Sequence, residues 1–418
     1  MRTDVAVIGL GPVGGVLTAL LAAAGVDVLC VEPNADVFAV PRAVALDDEV
    51  LRFLAGVPGL APLELVGRPR AELVDDSGAL LAAMDFDGSH NAQPGLAFFH
   101  QPSLERSLRD LVGDRLVLDR VTGLRQDSGE VELRLESGTT LNARWVVGCD
   151  GASSLVRRLI GSGFPGRTLR DPWLVVDAVG PSVSDTFRYV CDPALPAVSV
   201  PVPGGHRWEY MAPPASYSPP VPAGLEVTRA VEYTFAARTA DRWREGRVLL
   251  AGDAAHVMPP FAGQGLGAGL RDVEALWWRL RDALEGQDRV DEYAATRRPH
   301  VRAMTRTALL AGAVVQTRSR AGAAAVRGAL RTAQRSAWFR RGGLRPRDKS
   351  LVPNALLSVE GAERRLDEAL PWGRSVELEL RGDDALADGA LLGVDVDGVL
   401  RSVLSSGRAL ISPDRRIC

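Results

Sequence analysis

The chain has 418 residues and is poor in cysteine: four, at 30, 149, 191 and 418. None forms a CxxC pair and no His/Cys cluster has zinc spacing, which excludes a structural zinc site of the usual spacing and argues against a disulfide framework. Sparse cysteine of this kind fits a reducing cytosol, the expected location. Cys30 and Cys149 lie in apolar runs and are expected in the core. An excess of one charge is also missing. The net charge of −3 implies neither nucleic acid nor an anionic membrane as a partner. Long hydrophobic runs are absent too. The apolar start is preceded by Asp4 and interrupted by Gly9, Gly11 and Gly14, which argues against a signal peptide. No other stretch reaches the length of a membrane span. There is no internal repeat, metal-ligand box or nucleophile–base triad. What is there is the composition of an ordinary globular protein, long enough for two or three domains.

Residues 4–8 (DVAVI) read as a short buried strand, followed by GLGPVG at 9–14, a helical stretch to Gly25, and a second strand, VDVLCVE, ending at Glu32 before Pro33. This is the order of a dinucleotide-binding unit. Gly9 permits the tight turn, Gly11 lets backbone approach a pyrophosphate, and Gly14 allows close helix–sheet packing. The helix starting near Pro12 and Val13 offers free N–H groups to phosphate. An acid at Glu32 accepts from ribose hydroxyls and favours FAD or NAD over NADP. The motif by itself does not separate FAD from NAD.

Residues 247–272 (RVLLAGDAAHVMPPFAGQGLGAGLRD) carry a strand into Gly252-Asp253, then a Pro/Gly loop containing Pro260, then a helix from about Gly265. An acid at a strand end facing a helix N-terminus suits a polyol chain beside an electron-rich ring edge, as in a flavin. GDAAH…PP…GQG here, with WVVGCDGASSLVRRLIG at 145–161, resembles the fingerprints of the single-component flavoprotein aromatic hydroxylases, the para-hydroxybenzoate hydroxylase group. PRAVALDDEVLRFL (41–54), FFHQPSLERSLR (98–109), DPWLVVD (171–177), CDP…GGHRWEYM (191–211) and YAATRRPH (293–300) are similar to its 3-(3-hydroxyphenyl)propionate hydroxylase branch. The resemblance covers about residues 1–310.

The resemblance implies FAD, NADPH or NADH as transient reductant, molecular oxygen and a small aromatic substrate. A phenolic or polyketide-like ring would be hydroxylated through a flavin C4a-hydroperoxide. The absence of a second GxGxxG fits a nicotinamide that docks without its own domain. Asp150, Gly151, Ser154 and Arg157 occupy the marked positions of the middle fingerprint, which serves FAD and nicotinamide. By the same resemblance Arg42 contacts the FAD phosphates, Gln101 touches the flavin or ribityl chain, and Asp253, next to Gly252, binds the ribityl hydroxyls. Gly263, Gln264, Gly265 and the backbone of Leu266 and Gly267 face the ring. Plainer readings stand beside these: Arg42 as a surface arginine near Asp47 and Asp48, Asp253 as a helix cap, and His256 as a locally bonded side chain. Two departures from the pattern stand out. Leu266-Gly267 replaces Met-Asn or Met-Cys, and a glycine there costs helix stability. The Pro-rich segment 211–230 looks shorter than in relatives, which implies a more open pocket.

The expected fold is α/β: a Rossmann-like, three-layer ββα FAD-binding domain (1–72, 101–165 and 245–345) with an inserted antiparallel-sheet substrate domain (73–100 and 166–244). Within the insert, a hairpin around Asp76-Ser77-Gly78 and strands at 173–180, 186–202 and 207–212 are expected. His100, Tyr189, His206, Arg207 and Tyr210 are the candidates for activating a phenol. Leu270, Val273, Leu276, Trp277 and Leu280 keep helical spacing and belong to the core. The Arg- and Ala-rich stretch 301–347 reads as amphipathic helices with a solvated basic face. The tail, 346–418, resembles only the end of a thioredoxin-like domain without its cysteine pair, and would be structural or serve a subunit contact, as in a homodimer. Two alternatives remain at this point: the same cofactor used for epoxidation, Baeyer–Villiger oxidation or oxidative rearrangement in natural-product tailoring, or a non-catalytic scaffold relative.

Overall fold

The computed structural model describes residues 1–67, 70–86, 91–181, 184 and 186–340, and beyond these 354, 356–359, 362–370, 372–380, 390–395 and 408–416. Cys418 and much of the 346–418 segment lie outside the described residues. The first strand, Arg2–Ile8, is fully buried at Val5, Ala6 and Val7. It pairs in parallel with Val28–Glu32 on one side and Thr140–Gly148 on the other. Leu116–Leu118 and Val248–Leu250 extend the parallel sheet outward on either side. Parallel pairing requires a crossover, and the helix Pro12–Ala23 supplies it between the first two strands. Thr140–Gly148 also joins an antiparallel meander with Val131–Leu135 and Val121–Gln126. The long helix Gly265–Leu284 buries Leu270, Val273, Leu276, Trp277 and Leu280, the positions its spacing marks out.

The second sheet has seven strands, ordered Glu226–Tyr233, Trp173–Val179, Gly205–Met211, Ala197–Val202, Phe187–Val190, Arg70–Val74 and Leu80–Asp85. The hairpin around residues 76–78 is present: Asp75 Oδ1 accepts from the Ser77 and Ala79 amides and fixes the turn. Three details differ from the expectation. The run 186–202 is two strands, broken at Asp192, whose carboxylate accepts from the Ala194 amide. Glu226–Tyr233 is a strand, although its first residues belong to the Pro-rich segment. The sheet is not wholly antiparallel, since Phe187–Val190 runs parallel to Arg70–Val74. These two strands come from distant segments, so no tight turn forces them to run in opposite directions.

On Gly205–Met211 alternate side chains face opposite ways. Trp208 and Tyr210 pack with Val176, Ala178 and Ala197 on one face, with the His206 ring tilted against Trp208 at 4.5 Å. Arg207 and Glu209 face the other way, into a cavity.

The stretch after 290 forms helices Asp291–Val315 and Arg320–Ala333. The tail contributes a sheet of Leu356–Val359, Ala362–Arg365, Val376–Leu380, Ala390–Asp395 and Arg408–Ile411. It is fastened to the body by Arg52–Asp367 at 2.6 Å, Arg416–Glu274 at 2.9 Å, and Trp372 stacked on Trp277. No helix among the described residues is long and apolar enough to cross a membrane.

Candidate functional site

A cavity of about 790 Å³ opens where the parallel sheet meets the second sheet. Three turns that leave the carboxyl ends of parallel strands reach it, through Gly11, Gly151 and Asp253. That is where ligands bind in open α/β sheets.

The half of the cavity near the parallel sheet is polar and backbone-rich. The helices Pro12–Ala23 and Gly265–Leu284 both start there, and neither start is capped by a side chain. Their N-termini therefore present partial positive charge to the cavity. Gly9, at φ +102°, makes the tight turn, and a Cβ at Gly14 would stand 1.9 Å from the Gly9 carbonyl oxygen. Gly11, Gly151 and Gly265 meet no protein atom where a Cβ would project, so their backbone is open to a ligand.

Two carboxylates at this end have unused capacity. Asp150 accepts from the Leu155 and Val156 amides through Oδ2, while its buried Oδ1 has no partner among the described residues. Asp253 has no hydrogen-bond partner among the described residues, and desolvation in the cavity pushes its carboxyl above the usual range despite His256 and Arg42 nearby. Both helix starts, the open glycine backbone and the unpartnered Asp253 fit a molecule with a pyrophosphate, a polyol and an electron-rich ring, as FAD has.

Pro12, Val13, Arg42, Gln101, Pro260, Gly263, Gln264 and Leu266 also border the cavity. Gln101 holds the 42–43 backbone, accepting from the Ala43 amide at 2.6 Å, and donates to Glu105. Arg42 pairs with Glu105 at 3.1 Å and keeps a largely exposed side chain. Glu32 and Pro33 lie outside the cavity wall, with Glu32 accepting from the Leu10 and Asn34 amides at 2.9 Å each. Gly252, at φ +62°, packs on Val13, and Gly267 sits against Arg271 and Val50, where a Cβ would approach the guanidinium to 3.1 Å. The glycine at 267 thus makes room for Arg271, which pairs with Asp47 and Glu49. Ser154 caps the Leu155–Leu159 helix. Arg157 bonds the Ala152 and Ala254 carbonyls and stacks on Phe164, tying the middle fingerprint to the last one. His256 bonds Asp272 at 2.6 Å, and Arg297 holds the other carboxylate oxygen. Cys149, expected in the core, is only half-buried and borders the cavity, because the strand end it occupies opens there.

The other half of the cavity is apolar, walled by Leu73, Phe98, Phe187, Val198, Leu310 and Val314 among others. Of the five phenol-activating candidates, Tyr189 and Arg207 reach it. The Tyr189 hydroxyl is spent on the Phe261 carbonyl at 2.6 Å. Arg207 pairs with Asp177 and also donates to the Pro41 and Arg42 carbonyls. His100, His206 and Tyr210 do not line the cavity. His100 bonds Ser103, and His206 bonds Ser199 on the far face of the sheet, which Tyr210 shares. The sheet's two-residue alternation puts His206 and Tyr210 on the opposite side from Arg207. Sequence reasoning passed over Glu209, Tyr233 and the apolar wall given by the Asp291–Val315 helix. The alternation in GHRWEYM was the available signal for Glu209.

Comparison with known proteins agrees with this geometry. The family model described as an FAD binding domain matches residues 2–198 and 214–308. A probable NADH-specific resorcinol 4-hydroxylase of Rhodococcus jostii is 33% identical, over 88% of this chain and 78% of that protein. A 3-(3-hydroxy-phenyl)propionate/3-hydroxycinnamic acid hydroxylase of Shigella sonnei is 33% identical over 75% of this chain, which spans 62% of that longer relative. Among solved structures, the p-nitrophenol 4-monooxygenase of Pseudomonas putida DLL-E4 superposes with a TM-score of 0.74 at 26% identity, covering 82% of this chain and 97% of its own. The anhydrotetracycline hydroxylase of Streptomyces rimosus gives 0.78 at 26% identity, covering 100% and 95%. The chain belongs to the family of FAD-dependent aromatic-ring monooxygenases.

Proposed function

We propose that this protein hydroxylates a small phenolic substrate, using NADH to reduce bound FAD and molecular oxygen as co-substrate, in the cytosol. The carrying observation is one cavity with a polar, backbone-lined half that fits FAD and an apolar half, walled by residues such as Leu73, Phe98 and Phe187, beside it. FAD-binding is assigned to 1–72, 101–165 and 245–345, and substrate binding to 73–100 and 166–244. Bound FAD supplies the redox chemistry that a closed-shell ring needs to react with oxygen. The start of the Pro12–Ala23 helix would hold the pyrophosphate, with Glu32 at the adenosine ribose. Asp253 would bind the ribityl hydroxyls, and the 263–267 backbone would face the ring. Arg42, exposed at the cavity edge, is placed to meet phosphate or the incoming nicotinamide. The apolar wall orients the ring and excludes water, which protects a reactive oxygen donor from wasteful decay. NADH is preferred here because the R. jostii relative is described as NADH-specific. The test is product analysis under labelled oxygen with each nicotinamide. One labelled oxygen atom in a ring hydroxyl, with NADH the faster donor, supports the reading; substrate-independent NADH oxidation with every phenol offered refutes it.

A further inference from the structure

The apolar half of the cavity contains a carboxyl group that nothing in the described protein satisfies. Glu209 projects from Gly205–Met211 into the cavity and has no hydrogen-bond partner among the described residues. Its polar neighbours are committed elsewhere. Arg207 is occupied by Asp177 and two backbone carbonyls, Arg229 lies against the same aspartate and the Pro41 carbonyl, and the Tyr189 hydroxyl is bonded to Phe261. Opposite Glu209 on the adjoining strands stand Val175 and Val198, which offer it nothing. Desolvation raises its carboxyl above the ordinary range, with Arg207 opposing the shift. A half-buried carboxyl that faces an apolar cavity without a protein partner is left for a ligand, or the water it displaces, to pair with. Glu209 also falls between the two stretches matched by the family model, in sequence that the common FAD-binding pattern does not prescribe.

We propose that Glu209 is the specificity-determining residue of the substrate half, accepting the hydroxyl of the phenol and thereby choosing hydroxylated rings over ring ethers. This deepens the phenol reading above and rests on it. A carboxyl built to hydrogen-bond a substrate hydroxyl rejects the analogue that lacks it, because the buried group is then left unpaired. The Glu209 carboxyl would also fix which ring carbon is presented, since it anchors one substituent while the apolar wall leaves the remaining edge free to face the cofactor half.

The experiment uses the FAD-loaded protein and a panel of mono- and dihydroxybenzenes with their methyl ethers, resorcinol and 1,3-dimethoxybenzene as the lead pair. Binding is read from the perturbation of the flavin spectrum. The wild type is expected to prefer the phenol by at least about tenfold. Glu209→Leu should lose that preference while keeping its FAD and its rate of reduction by NADH without substrate. Glu209→Gln, which still offers an acceptor, should recover most of the preference. A Glu209→Leu protein that discriminates like the wild type overturns the proposal, as does a yellow wild type that binds no phenol of the panel or prefers the ethers. A protein that cannot be loaded with FAD overturns the functional reading itself and is told apart by its missing flavin bands.

Discussion

The Asp253 carboxylate ends the GD turn, lines the cavity and has no partner among the described residues. A ribityl chain would relieve that, so Asp253→Ala is expected to purify without FAD; a yellow Asp253→Ala protein at full occupancy would defeat the assignment. Arg42→Ala should slow reduction by NADH or weaken FAD binding, since the side chain is held at the cavity edge by Glu105. Unchanged reduction and affinity would return Arg42 to the surface arginine that the sequence alone also allowed. His206 offers a pH test. Burial pushes its pKa from 6.5 down to about 4, so the unfolded chain takes up the proton first as pH falls. Its effect on stability is absent above pH 6.5 and grows as a destabilisation between pH 6.5 and 4, to roughly 3 kcal/mol at most. His206→Gln should therefore flatten the fall of Tm across that window relative to wild type; parallel Tm curves would show that His206 titrates normally.

At the scale of elements, the strand–turn–helix unit at the N-terminus was legible because its signals are local. The apolar run from Val5 to Ile8, the glycines and the helix period sit within one short stretch. Gly14 sits backbone to backbone with Gly9, and neither side can yield. Gly14→Ala should thus cost about 1–3 kcal/mol or prevent folding, read as a lower Tm and lost flavin; an unchanged Tm would mean the turn is looser than described. Other elements were not legible, for physical reasons. Glu226–Tyr233 has exposed residues on both faces and therefore no alternation, and its position is set by backbone pairing with Trp173–Val179. The break inside 186–202 depends on an Asp192 turn that interrupts an otherwise strand-forming run. His206 and Tyr210 are equivalent to Arg207 by chemical type alone, whereas strand sidedness turns them away and brings Glu209 into the cavity. The Asp291–Val315 helix was legible as a helix with a basic face, but its contribution to the cavity wall arises from tertiary packing.

At the scale of the whole molecule, three regions divide the work. The parallel sheet presents strand ends and helix starts, the second sheet covers them with an apolar face, and the tail is fastened alongside by Arg52–Asp367, Arg416–Glu274 and the Trp277–Trp372 stack. Removing the tail leaves Arg52 and Glu274 without these partners, and breaking a buried pair from one side costs about 3–5 kcal/mol. Among the described residues, none beyond Phe339 lines the cavity. Truncation after residue 345 is therefore expected to lower Tm by several degrees or more while the surviving protein still takes up FAD; flavin loss at unchanged Tm would mean the tail acts on the site directly. The central claim is that a single cavity joins a flavin to a phenol, and anaerobic reduction of the purified protein by NADH, with and without a panel of phenols, tests it most directly. The account predicts flavin bands that bleach faster when one phenol is present. A colourless protein that cannot be reconstituted with FAD, or a flavin whose reduction no phenol alters, would contradict it.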